Sequence, residues 1–215
     1  MTNLNALTSL SIEDCPQLTN LKLIHLDNLT SLKLNSNDYC SSCCPQLGKI
    51  EGLEKLKKIS KLTLKNCPQL SQPDFKSMSS LRKLTISGCS NFACQPEDFP
   101  GKLTNLSFNS QKFSTYNLEN LVAKEVLTDL SFSSCSNLKE LSNLGKLRKL
   151  NNLYLHELKN LIDLKGAGDL NNLTKLTIKS CSNLEKVEGL EKLVKLGQFS
   201  FQECPKLKIF TPFEE

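Results

Sequence analysis

Tryptophan is absent from this 215-residue chain, and tyrosine and histidine occur only three and two times. So few rings offer no set on which successive nucleic-acid bases stack. The two histidines, His25 and His156, lie far apart in the sequence and give little to a metal centre or to proton transfer. No run approaches the ~18 consecutive apolar residues of a membrane helix, and residues 1–5 have neither the basic start nor the apolar stretch of a secretory signal. Motifs of covalent or phosphate chemistry are missing as well: there is no G-x-S-x-G, no phosphate-cradling glycine loop and no nucleophile with a histidine partner. Neither an enzyme nor a resident cofactor is expected. The net charge of +5 is too small for a dedicated nucleic-acid binder.

What the chain has is leucine at a fixed spacing. The pattern L-x-x-L-x-[LIF]-x-x-C-x-x-L recurs nine times, with first positions at Leu7, Leu29, Ile59, Leu81, Leu103, Leu127, Leu150, Leu173 and Leu196. In L-x-L the two leucines point to the same side of a strand, so they face an interior while their neighbours face out. One such coil cannot bury its apolar side alone; stacked coils share a core and pair their strands in parallel. The pattern is that of leucine-rich repeats. The expected fold is a single α/β solenoid domain over residues 1–215, a horseshoe of about nine repeats with a parallel sheet on its concave face. Its convex side is expected to hold short helical, 3₁₀ or turn segments.

The return halves are less regular. Residues 50–59 and 187–196 are near copies built on E-G-L-E-K-L, and 141–150 follows the same scheme; leucines three apart predict a brief helical or 3₁₀ turn there. Residues 72–74 and 98–101, with Pro73, Pro100 and Gly101, read as mostly turn. The 30-residue interval between Leu29 and Ile59 holds an insertion, because C-P-Q-L at 44–47 copies 15–18 and 67–70. The added residues, 37–43, follow a strand and form a rim loop, a common place for grafted function.

Six of the ten cysteines, Cys15, Cys67, Cys89, Cys135, Cys181 and Cys204, share the fourth column of the repeat, so they are one structural position repeated. Cysteines in a core column predict reduced thiols and a cytoplasmic setting. Cys40, Cys43 and Cys44 look like half of a zinc site, but no second pair of ligands follows, and no metal site is expected. Three N-x-[ST] matches, at Asn28, Asn105 and Asn172, are generated by the repeat itself. They leave open an extracellular glycosylated receptor fragment as a third class.

The outward strand positions form one surface with six lysines against two acids. The binding candidates on it are Lys33, Lys61, Lys65, Lys83, Asp129, Tyr154, His156, Lys175 and Lys179. For any single Ser, Thr or Lys, the alternative is ordinary tolerance of polar residues on a solvated strand. Taken together they suit an acidic protein partner, and Tyr154 with His156 suits an anchoring contact. Neither nucleic acid nor membrane is an expected partner.

The segment L-T-K-L-T-I-K-S-C-S-N-L-E-K-V-E-G-L at 173–190 closely resembles the repeats of plant intracellular nucleotide-binding leucine-rich-repeat immune receptors. The resemblance spans nearly the whole chain and rests on L-x-I-x-x-C-x-x-L followed by [IV]-E-G-L-E-K-L. It implies a region that senses a pathogen effector or host protein directly. The nucleotide-binding and signalling modules of that family are not in this sequence, so the chain is expected to be an excised repeat region or a free-standing relative. The alternative is a scaffold or adaptor repeat protein, such as a substrate receptor of a ligase.

Overall fold

The computed structural model describes residues 4–35 and 44–208, and the chain divides into two compact units, 1–103 and 104–215. The insertion at 37–43, with Cys40 and Cys43, lies outside the described residues. Both units are built from the same coil, so the fold is the leucine-rich-repeat solenoid that the spacing predicts.

In the first unit the ladder strands are Ser9–Glu13, Ser31–Asn35, Lys61–Lys65 and Lys83–Ser87. They pair in parallel and in perfect step: Leu10 lies against Leu32, Leu32 against Leu62, and Leu62 against Leu84. The second unit repeats this with Asn105–Asn109, Asp129–Ser133, Asn152–His156, Lys175–Lys179 and Gln198–Gln202. There Leu106, Leu130, Leu153, Leu176 and Phe199 share one column. Because the side-chain period of a strand is two, this register places every L-x-L pair on one side. Inner coils bury that side fully, as at Leu32, Leu34, Leu62, Leu64, Leu153 and Leu155. Each such side chain contributes about 1.5–3 kcal/mol. In the coils at the two ends of the described chain, Leu10, Ile12, Phe199 and Phe201 are only half-buried.

Eight ladder strands run into a left-handed corner among the described residues. Asp14, Asn66, Gly88, Ser110, Ser134, Glu157, Ser180 and Glu203 all have φ between 48° and 59°. A residue with a Cβ is disfavoured there by roughly 1–2 kcal/mol. The corner turns its N–H toward the next strand and gains a hydrogen bond in exchange: Ser134 donates to the His156 carbonyl at 2.8 Å and Glu157 to that of Lys179 at 2.9 Å. The Cys column follows directly. The thiols of Cys67, Cys135 and Cys181 donate to the carbonyl two residues back at 3.3–3.5 Å, which pins the corner from inside. Gln111 fills the same column and bonds the Asn109 carbonyl in the same way at 3.1 Å.

The return halves carry single 3₁₀ turns, such as Leu53–Lys55, Leu144–Lys146 and Leu190–Lys192. Glycines or Asn143 in the left-handed region introduce them. The return segments marked by the turn residues 72–74 and 98–101 also carry 3₁₀ turns, Phe75–Ser77 just after the first and Pro96–Asp98 running into the second. The reason is local capping: the Asp74 carboxylate accepts from the Ser77 N–H, and Pro96 sits at the first helical position between Gln95 and Asp98. Their aromatic side chains then pack together, Phe75 stacking on Phe99 at 5.8 Å and meeting Phe92 edge-on at 6.0 Å. A second, unanticipated set of short parallel strands joins neighbouring coils, Asn20–Lys22 with Lys49–Glu51, Thr115–Asn117 with Glu140–Ser142, and Asp163–Leu164 with Lys186–Val187.

Candidate functional site

The candidate surface is the side of the ladder opposite the leucines. In the first unit Lys61 and Lys83 are direct register partners on adjacent strands, and Lys65 lies two outward positions along from Lys61. None of these three ammonium groups has an ion pair among the described residues. Lys33 differs: its ammonium stands 3.4 Å from the Glu13 carboxylate, to which the Ser11 hydroxyl also donates at 3.2 Å. Two outward positions are not open to solvent. Thr63 and Ser87 are each 8% exposed.

The second unit presents a different chemistry. Tyr154 is 39% exposed and rises between Ser131 and Thr177, its register partners. The His156 ring lies 6.0 Å from it, and His156 Nε2 stands 3.8 Å from the Glu157 carboxylate. Glu157 was not among the outward positions of the repeat; its left-handed corner swings it to the rim, where it also accepts from the Ser134 hydroxyl at 2.8 Å. Asp129 is held on both oxygens, by Asn152 Nδ2 at 2.7 Å and the Thr128 hydroxyl at 2.6 Å. Its carboxylate therefore ties two strands together. Lys175 sits between Asn152 and Gln198, and Lys179 between His156 and Gln202. The nine candidates thus fall into a lysine group in the first unit and a carboxylate, ring and lysine group in the second.

The thiols are chemically quiet. Burial raises the Cys135 and Cys181 thiols to about 11, and burial beside Cys89 and Asp98 raises Cys94 further. The eight described cysteines form no disulfide with one another. No cluster of His, Cys, Asp or Glu suited to a metal ion occurs among the described residues, and no described helix is long and apolar enough to cross a membrane.

The Asn-x-Thr matches have structural work. Asn28 Nδ2 donates to the Asn5 carbonyl and Asn172 Nδ2 to that of Arg148, both at 2.7 Å, while Lys58 and Lys195 donate to their Oδ1 atoms at 2.6 Å. The partner threonines, Thr30 and Thr174, donate to the Thr8 and Asn151 carbonyls of the preceding coil at 3.0 and 3.1 Å. Each strap holds three successive coils.

Residues 2–93 and 102–214 match the sequence profile of the BspA-type leucine-rich repeat region, in six copies. Among curated proteins none matches significantly in sequence. Solved structures share the fold at low identity. The leucine-rich repeat domain of the type III effector XopL superposes with a TM-score of 0.71 at 19% identity, over 93% of this chain and 70% of that one. The functional domain of InlJ from Listeria monocytogenes, described as including a cysteine ladder, gives 0.64 at 20%, over 95% of this chain and 46% of that one. Internalin C2 from Listeria monocytogenes gives 0.56 at 20%, over 92% and 81%.

Proposed function

The chain belongs to the BspA-type leucine-rich-repeat family, and on that premise we propose that it is a protein-recognition module whose partner lies on the open face of the strand ladders. The observation that carries this reading is Tyr154, a large ring left 39% exposed on a rigid, fully paired strand between two small hydroxyl residues. Such a ring offers contact area at little cost in conformational freedom. Lys61, Lys65 and Lys83 add an attraction for acidic partners and speed their encounter. Lys33 lies on the same face of the first unit, and His156, Lys175 and Lys179 lie on that of the second. Asp129 serves it from beneath by fixing strand positions.

The finer assignment, to the sensing region of a plant intracellular immune receptor acting in the cytoplasm, rests on the segment 173–190 and its E-G-L-E-K-L turn alone. In the structure that turn is a 3₁₀ segment entered through left-handed Gly189. The free thiols accord with a reducing compartment. Under this reading the partner is an effector or host protein, and further receptor modules lie elsewhere.

The test is a partner captured from a relevant extract and then bound to purified variants. Tyr154→Ala, or Lys61→Glu with Lys65→Glu and Lys83→Glu, is expected to weaken binding at least tenfold with urea midpoints unchanged. Binding that survives both variants sinks the proposal.

A further inference from the structure

The lysine group of the first unit has an arrangement that a merely acidic partner does not account for. Lys61 and Lys83 stand side by side on strands about 4.8 Å apart, a placement in which like charges oppose each other. Lys65 closes the group from along the strand. Between them lie Thr63, which is buried, and Thr85, which is half-buried, themselves register partners. The lysines thus take three of the four outward positions that flank this threonine pair, Ser87 being the fourth, and no carboxylate of the described residues forms an ion pair with them. Lys33, one strand away, shows the contrast, since Glu13 already answers its charge.

Resting on the reading that the open face carries the partner, we infer that the segment bound over the first unit bears a phosphorylated side chain, its phosphate held by Lys61, Lys65 and Lys83 above Thr63 and Thr85. A carboxylate brings one charge and two oxygens to three cations. A phosphate monoester brings a charge of about −1.5 to −2 and three acceptor oxygens, one for each of three ammonium donors, with lone pairs left for the half-buried Thr85 hydroxyl. Lysine suits this role because its ammonium is a compact charge with rotatable donors on a flexible stem.

The patch is also local. Apart from the Lys33–Glu13 pair, the remaining outward residues of the unit, among them Ser9, Ser11, Ser31 and Ser87, are neutral, and no ring stands on an outward strand position there. A nucleic acid or sulfated polysaccharide would need a longer track of cations, and a nucleic acid would also find no stacking platform.

The test uses the full chain and degenerate fluorescent peptide pools centred on phosphoserine, on phosphotyrosine, on glutamate, or on the unmodified residues. Binding is read by anisotropy alongside a heparin fragment and a single-stranded oligonucleotide. A phosphorylated pool is expected to bind at least tenfold tighter than the glutamate pool, and the Lys61→Gln/Lys83→Gln variant is expected to remove that advantage. Inorganic phosphate is expected to move the amide resonances of Thr63 and Thr85 in the parent and not in the variant. Equal binding of the glutamate and phosphorylated pools, abolished by the variant, overturns the phosphate inference while leaving the recognition face standing. Tighter binding of heparin or the oligonucleotide overturns it in favour of a polyanion. Peptide binding indifferent to the lysines, or no peptide binding at all, overturns it too, and the Tyr154→Ala measurement on a captured partner then decides the broader reading separately.

Discussion

Gly168 and Gly189, on successive return turns of the second unit, approach so closely that a Cβ on Gly168 would lie 2.5 Å from the Gly189 carbonyl oxygen and 2.6 Å from its Cα. Both obstructing atoms are backbone and cannot swing aside. Gly168→Ala is therefore expected to destabilise the second unit by about 1–3 kcal/mol, the usual range for overpacking. Gly197→Ala, where the nearest atom would be 4.0 Å away, is expected to stay within about 0.5 kcal/mol of the parent. Urea unfolding of the two variants checks the pair, and an unchanged midpoint for Gly168→Ala would show that the turns are less tightly packed than described.

Asn172 links three coils through its amide, donating to Arg148 and accepting from Lys195. Asn172→Ala removes both bonds and strands the Arg148 carbonyl. A loss of about 1–2 kcal/mol is expected, measurable by urea unfolding. The amide hydrogen exchange of 173–178 should rise with it.

Asp129 separates architecture from recognition. Both of its oxygens accept hydrogen bonds from within the unit, so Asp129→Ala is expected to cost about 1–3 kcal/mol by removing the charged acceptor of the Asn152 amide and of the Thr128 hydroxyl, which keeps only the Thr104 carbonyl at 3.1 Å. Binding of peptides to the lysine group of the first unit should be unaltered. A variant with normal stability and lost partner binding would instead place this carboxylate in direct contact with the partner.

The buried thiols give a pH dependence of definite sign. Burial raises the Cys135 and Cys181 thiols from the ordinary value near 9 to about 11. The unfolded chain therefore loses these protons first. Their contribution to stability is complete below pH 9 and is lost as pH rises toward 11. Urea midpoints of the parent should fall over that window more steeply than those of a Cys135→Ala/Cys181→Ala variant. At pH 8, both thiols should react with iodoacetamide far more slowly in the native state than in urea.

The leucine columns were legible in the sequence because a strand's two-residue period leaves one assignment of inside and outside, and the register pairs Leu10, Leu32, Leu62 and Leu84 as the alignment does. The cysteine column was legible as a position, though its bond to the carbonyl two residues back follows from the left-handed corner, and no spacing announces a positive φ at Ser134 or Glu157. The same gap hid Glu157 from the candidate surface. The 3₁₀ turns at Phe75–Ser77 and Pro96–Asp98 are masked by nearby prolines that signal a turn, although one of them, Pro96, opens its helix and the Asp74 cap opens the other. Asp129 and Lys61 look alike as outward charged residues. Only the placement of Thr128 and Asn152 shows that one is spoken for and the other is not.

The straps at Asn28 and Asn172 reach no further than the coils immediately before and after, as does each strand pairing within a unit. A molecule joined only through nearest neighbours has no keystone. It lengthens or shortens by whole turns without redesign, so descent can slide a ring like Tyr154 along the ladder by duplicating a turn and recruit new ligands while the interior stays as it was.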